Sequence, residues 1–157
     1  FRGGQLFGQI DRDKMTQDFV AAARWLKARP DCTGSIGATG FCFGGGMSNT
    51  LAVLLGTELA AAAPFYGGAP PAEDVPKIKA AMLIHHGGLD TRLVDAHPGY
   101  EAAMKSAGVT HEGHIYKDAV HGFFNDATPE RYNKAAATEA WTRTIEWFNQ
   151  YMRTPQA

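Results

Sequence analysis

The sequence has little cysteine, no excess charge of either sign and no long apolar run. Two cysteines in 157 residues, Cys32 and Cys42, cannot build a disulfide framework. Fifteen basic side chains stand against sixteen acidic ones, a net charge of −1 with histidine neutral. Without a basic run, such a chain carries no electrostatic footprint for nucleic acid or anionic lipid. No apolar stretch approaches the ~20 residues that a membrane-spanning helix needs. Gly44-Gly45-Gly46 is not followed by Lys-Ser/Thr, so no nucleotide phosphate loop is expected.

What is present is the composition of one soluble globular domain over residues 1–157, with 45% hydrophobic and 20% charged residues. Eighteen glycines without a repeat point to turns and close backbone approaches. The chain opens with Phe1 rather than Met, so its start does not report a targeting segment. The compartment stays open, with the cytoplasm as the default expectation.

Hydrophobic spacing divides the chain into alternating elements. Residues 1–10 are Gly-rich and aperiodic and read as loop. Met15, Phe19, Ala22 and Leu26 recur at helical spacing between Asp11 and Ala28, and Pro30 stops the pattern. Ser35 to Phe41 reads as a buried strand, Met47 to Leu55 as a buried helix, and Leu59 to Tyr66 and Ala80 to His86 as further strands. Pro98 to Ser106 reads as a short helix, His111 to Tyr116 as a fourth strand, and Pro129 to Met152 as a last helix. Alternation of this kind predicts an α/β chain with a mostly parallel sheet flanked by helices.

Ligands of such sheets bind beyond the carboxyl ends of the strands. Cys42, Asp90 and His121 each follow a different strand, in that order. Gly40-Phe41-Cys42-Phe43-Gly44 has the spacing of a nucleophile elbow, with cysteine where serine is usual. Glycine two before and two after suits a strained turn that places the nucleophile at a helix N-terminus. Backbone N–H groups there favour a thiolate and, later, an oxyanion. Taken singly, Cys42 could be a small buried hydrophobe, Asp90 a turn cap and His121 a partner for a loop carbonyl. The order nucleophile, acid, histidine behind successive strands favours a catalytic triad. A metal site is not expected, because the adjacent His85 and His86, and His111 and His114 at an odd offset, point to opposite faces of their strands. Seven strand residues separate Cys32 from Cys42 by ~20 Å or more, too far for a disulfide.

Phe41-Cys42-Phe43-Gly44-Gly45, Leu89-Asp90-Thr91-Arg92 and His121-Gly122-Phe123-Phe124-Asn125-Asp126 together resemble the dienelactone hydrolase family. The resemblance runs from about Asp11 to Met152, where Arg131-Tyr132, Ala135-Ala136 and Trp141 on the last helix add to it. It implies the C-terminal part of an α/β-hydrolase fold, with the family's N-terminal strands missing from this chain. It further implies that Cys42 is the nucleophile, His121 the general base and Asp90 the residue orienting it. The Phe43 N–H would be one oxyanion donor, and Tyr66 and Phe123 would line the substrate pocket. The implied activity is hydrolysis of a small-molecule ester or lactone through a thioester, with no cofactor.

Two departures bear on that expectation. The family archetype has an arginine four residues after the histidine, holding the substrate carboxylate; here the position is Asn125, so a neutral ester or lactone suits the site at least as well as the carboxylated dienelactone. Only four strands are supplied, so an upstream segment or a second copy would have to complete the sheet and bring the second oxyanion donor. A glutaminase-type amidotransferase also uses this elbow but expects His-x-Glu, which His121-Gly122-Phe123 does not match. A catalytically incomplete fragment serving as a binding or redox-sensing module is the remaining alternative.

Overall fold

The structure, a computed structural model, describes residues 2–153. Its strands are β1 (Gly37–Phe41), β2 (Ala61–Phe65), β3 (Ala81–Gly87) and β4 (His111–Tyr116). They form one sheet in the order β1-β2-β3-β4, with every neighbouring pair parallel. The helices are α1 (Arg2–Gly8), α2 (Arg12–Lys27), α3 (Phe43–Leu55), α4 (Thr91–Ser106) and α5 (Lys134–Met152). This is an α/β-hydrolase-like architecture in which each parallel pair is joined through a crossover on the sheet's faces.

The strand period of two sorts the core. Ala62, Met82 and Ile84 face α3 and α4, where Ala52, Val53, Tyr100 and Met104 are buried against them. Ala61, Ala63, Ala81 and Leu83 face α5 and pack on Trp147, whose indole N–H donates to the Ala81 carbonyl at 3.2 Å. β2 and β3 are buried along their whole length, as strands covered on both faces must be. No helix among the described residues is long and apolar enough to cross a membrane.

Several boundaries differ from the sequence reading. Residues 2–8 form α1 rather than loop. α2 starts where Asp11 accepts from the Asp13 and Lys14 N–H groups, an N-cap bond the sequence permitted. α3 begins at Phe43 rather than Met47, because helices accommodate glycine when strand and helix must pack closely. α4 begins at Thr91 and runs through Pro98, which the sequence reading took as its first residue. α5 begins at Lys134, with the Asn133 side chain accepting from the Ala136 N–H at 3.1 Å.

β1 departs most from expectation. Instead of a buried strand it is half-buried to exposed, because no described strand pairs with its outer edge. Phe19, Leu26, Thr39 and Leu51 line an open groove of about 430 Å³ beside it.

β3 carries two buried histidines on opposite faces. On the α5 side, His85 bonds through Nδ1 to the Tyr116 hydroxyl at 3.1 Å and through Nε2 to the Thr144 hydroxyl at 3.0 Å. On the α4 side, His86 meets the His97 ring edge-on at 5.2 Å. Burial pushes His85 down to about 3, helped by His114, and His86 down to about 4, helped by His97. The unfolded chain takes up these protons near the ordinary histidine pKa of about 6.5, so acid favours unfolding. Both imidazoles stay neutral without cost above that pH, and the penalty grows as pH falls towards the folded values. Between pH 7 and pH 5 each is expected to remove about 1–2 kcal/mol of stability. Urea unfolding at the two pH values measures the sum, and His85→Gln should make the pH dependence shallower. Equal stability at pH 7 and pH 5 would contradict the assignment.

Candidate active site

The elbow is built by a strained Cys42 between Gly40 and Gly45, neither of which has room for a side chain. Cys42 has φ 55° and ψ −114°, a left-handed conformation that costs a non-glycine residue about 1–3 kcal/mol. Its N–H donates to the Phe65 carbonyl and its own carbonyl accepts from the Gly46 N–H, both at 3.1 Å, which ties the turn to β2 and α3. A Cβ on Gly40 would collide with the Gly44 backbone, and one on Gly45 with the Phe65 carbonyl and Gly67. Gly44 itself faces open space among the described residues. The tight second glycine is therefore Gly45, not Gly44 as the spacing implied.

As a result, Cys42 sits at the N-cap of α3 with an exposed side chain. The N–H groups of Phe43, Gly44 and Gly45 have no acceptor within the helix and carry its positive end. The location nonetheless does not leave a free thiolate. Although the side chain is exposed, partial desolvation of its sulfur raises the thiol's pKa, which Arg131 offsets in part and Asp90 reinforces. The resting residue is a thiol.

Asp90 and His121 come together because the loops after β3 and β4 touch. A Cβ on Gly87 would strike the Ala119 and Val120 carbonyls, and one on Gly88 would strike Lys117. Asp90 stands at the N-cap of α4, yet its side chain makes no capping bond. Instead Oδ2 accepts from His121 Nδ1 at 2.6 Å, with the Asp90 side chain 9% exposed and that of His121 36%. The ring of Tyr66 covers the imidazole, with centroids 4.9 Å apart.

Two clefts meet at Cys42. The larger, about 520 Å³, is lined by Cys42, Phe43, Tyr66 and His121 and by two cations, Arg12 and Arg92. The smaller, about 390 Å³, has aromatic walls of Phe41, Tyr66 and Phe124, with Asn125, Asp126 and Arg131 at its polar end. No hydrogen bond joins Cys42 Sγ to His121, although both line the larger cleft. Tyr66, itself at φ 37°, lines both clefts while 2% exposed. Its phenol is pushed up to about 12, chiefly by burial and then by Cys42, so it stays protonated.

Phe123 lines neither of these two clefts. It is fully buried between Phe65, Tyr66 and Tyr116, and Phe124 takes the wall position instead. Sequence reasoning also missed Arg12, Arg92 and Arg131. Arg92 and Arg131 lie inside motifs read from the sequence, Arg92 two residues after Asp90 and Arg131 ten after His121, but nothing in one dimension aims them at Cys42. Among the described residues, no group of three or more His, Cys, Asp or Glu side chains could hold a metal ion. Cys32 and Cys42 are both free.

Comparison with known proteins places these features in context. The sequence model of the dienelactone hydrolase family matches residues 3–152. The "Putative carboxymethylenebutenolidase" of Saccharolobus solfataricus is 35% identical over 136 residues, covering 86% of this chain and 51% of its own. A dienelactone hydrolase-like promiscuous phosphotriesterase from metagenomic libraries superposes with a TM-score of 0.79 at 28% identity, covering 90% of this chain and 63% of its own. The dienelactone hydrolase of Anabaena variabilis shares the fold, with a TM-score of 0.67 at 24% identity over 88% of this chain and 60% of its own. The chain therefore spans between one half and two thirds of the length of these relatives.

Proposed function

Since the chain belongs to the dienelactone hydrolase family, we propose that it carries the nucleophile, acid and histidine of an enzyme cleaving a small-molecule ester or lactone. The observation that carries this reading is the 2.6 Å Asp90–His121 bond on the cleft that exposes the strained Cys42. With Asp90 ionised, and therefore only an acceptor, His121 Nδ1 holds the proton and Nε2 is the basic nitrogen.

His121 Nε2 takes the proton from Cys42 Sγ, and the sulfur attacks the substrate carbonyl carbon. The carbonyl π electrons move onto oxygen, where the Phe43 N–H donates to the new oxyanion. Collapse of that intermediate breaks the carbon–oxygen bond to the leaving alkoxide, which takes the proton from His121. A thioester on Cys42 remains. Water then gives a proton to His121 and attacks the thioester, releasing the acid and returning the proton to sulfur. Asp90 holds the imidazole in place and stabilises its charged form throughout.

Brief reaction with p-nitrophenyl acetate, acid quench and mass spectrometry of the Cys42 peptide tests this directly. An acetyl increment on Cys42 that is lost on His121→Ala is the expected result. Absence of the increment, with intact fold, would favour the alternative of a hydrolase-like binding or redox-sensing module.

A further inference from the structure

The reaction just described brings three charges together around the exposed Cys42: the thiolate and the His121 imidazolium that the proton transfer creates, and the Asp90 carboxylate already present at rest. Their sum is −1 before and after the transfer, and a cation facing the sulfur favours the form in which negative charge sits on it. The surroundings of Cys42 offer several groups that could offset it. Tyr66 is neutral. Arg12 lines the larger cleft and lies over the Phe7 ring at 4.4 Å. Arg92 lines the same cleft from the first turn of α4. Arg131 lines the smaller cleft together with Cys42.

Arg131 is set apart by how it is held. Its N–H and that of Tyr132 both donate to the Thr128 carbonyl at 2.9 Å, a tight turn that returns the chain towards the histidine loop. Its side chain lies over Gly122, the residue after His121. A Cβ placed on Gly122 would be 3.5 Å from Arg131 Cδ and 3.9 Å from Nη1. Arg24, Arg29 and Arg143 each pair with a carboxylate. Among the described residues Arg131 forms no ion pair, as Arg12 and Arg92 do not, and it differs from them in lining the smaller cleft with Cys42 while packing on the residue after His121. A guanidinium is always charged, so this cation is available to the sulfur at any working pH.

We infer that Arg131 is a positioning residue for the nucleophile, its guanidinium supplying, across the smaller cleft, the positive charge that holds the Cys42 thiolate. When the Sγ–H bond breaks and the proton forms an N–H bond at His121 Nε2, the four groups sum to zero before and after, and Arg131 attracts the negative charge that has moved onto the sulfur across the cleft. The inference rests on the reading of Cys42 as the nucleophile, but its test needs no turnover.

The rate of Cys42 alkylation by iodoacetamide is followed against pH, by mass spectrometry of the peptide, in the wild type and in Arg131→Met, Arg131→Gln, Arg131→Lys and Arg92→Met. Loss of the charge in Arg131→Met and Arg131→Gln should move the alkylation midpoint up by about one pH unit and slow the reaction at pH 7 about tenfold. Arg131→Lys should restore most of the rate, and Cys32 in the same samples should react unchanged. An unmoved midpoint in both neutral variants, or an equal displacement in Arg92→Met, would overturn the inference. The nucleophile assignment would then still stand or fall on the thioester experiment.

Discussion

Replacing Cys42 by alanine is expected to reduce ester hydrolysis to background, a loss of at least about a thousandfold, because the members of such a triad act as a unit. The sulfur is the only atom on the cleft assigned to form the covalent intermediate, and neither His121 nor Phe43 can replace it. Cys42→Ser should retain slow turnover, since an alcohol needs stronger assistance from the base than a thiol does. The backbone gives this experiment a second readout. Alanine keeps the cost of φ 55°, whereas Cys42→Gly should be inactive yet more stable, by about 1 kcal/mol, because glycine adopts that conformation freely. Chromogenic ester assays and thermal melts of the three variants check both statements. Substantial activity in Cys42→Ala would remove the nucleophile from the mechanism, and a less stable Cys42→Gly would remove the strain from the elbow.

The second large effect concerns the open edge of the sheet. β1 presents unpaired backbone on its outer side, flanked by Phe19, Leu26, Phe41 and Phe43, each at least 38% exposed. An apolar edge with free N–H and C=O groups is a template for pairing with another chain. The proposed mechanism assigns a single oxyanion donor, Phe43, and a missing donor typically costs about 100- to 1000-fold in turnover. Residues 1–157 expressed alone are therefore expected to associate and to turn over esters at least a hundredfold more slowly than longer relatives. Light scattering should give a mass above the 16.9 kDa of one chain. Leu26→Glu, which puts a charge in the groove beside β1, should reduce the association. A well-behaved monomer with activity equal to that of its longer relatives would show that the β1 edge and the single donor are no handicap.

The order of strands and helices was legible in the sequence because apolar spacing reports local geometry, and that geometry repeats every two or 3.6 residues. The relation of Cys42, Asp90 and His121 was legible for a topological reason: parallel strands end on one edge, so residues just after successive strands share that edge whatever the details of packing. What the sequence alone determined was thus the α/β alternation and the sheet edge that Cys42, Asp90 and His121 share. The tertiary structure decided how they are held. Whether Asp90 caps α4 or binds His121 depends on the contact between the β3 and β4 loops, which Gly87 and Gly88 permit. Whether Gly44 or Gly45 is the tight position depends on the Phe65 carbonyl, twenty residues away. Phe123 and Phe124 are equal in composition, and only the packing of β2 and β4 buries one and leaves the other on the cleft. Arg131 carries no spacing signal towards Cys42, because its place is set by a turn after β4 folding back over Gly122. Periodicity encodes the direction a side chain takes from its own element, whereas these choices are contacts between elements that are far apart in sequence and meet only when the sheet has formed.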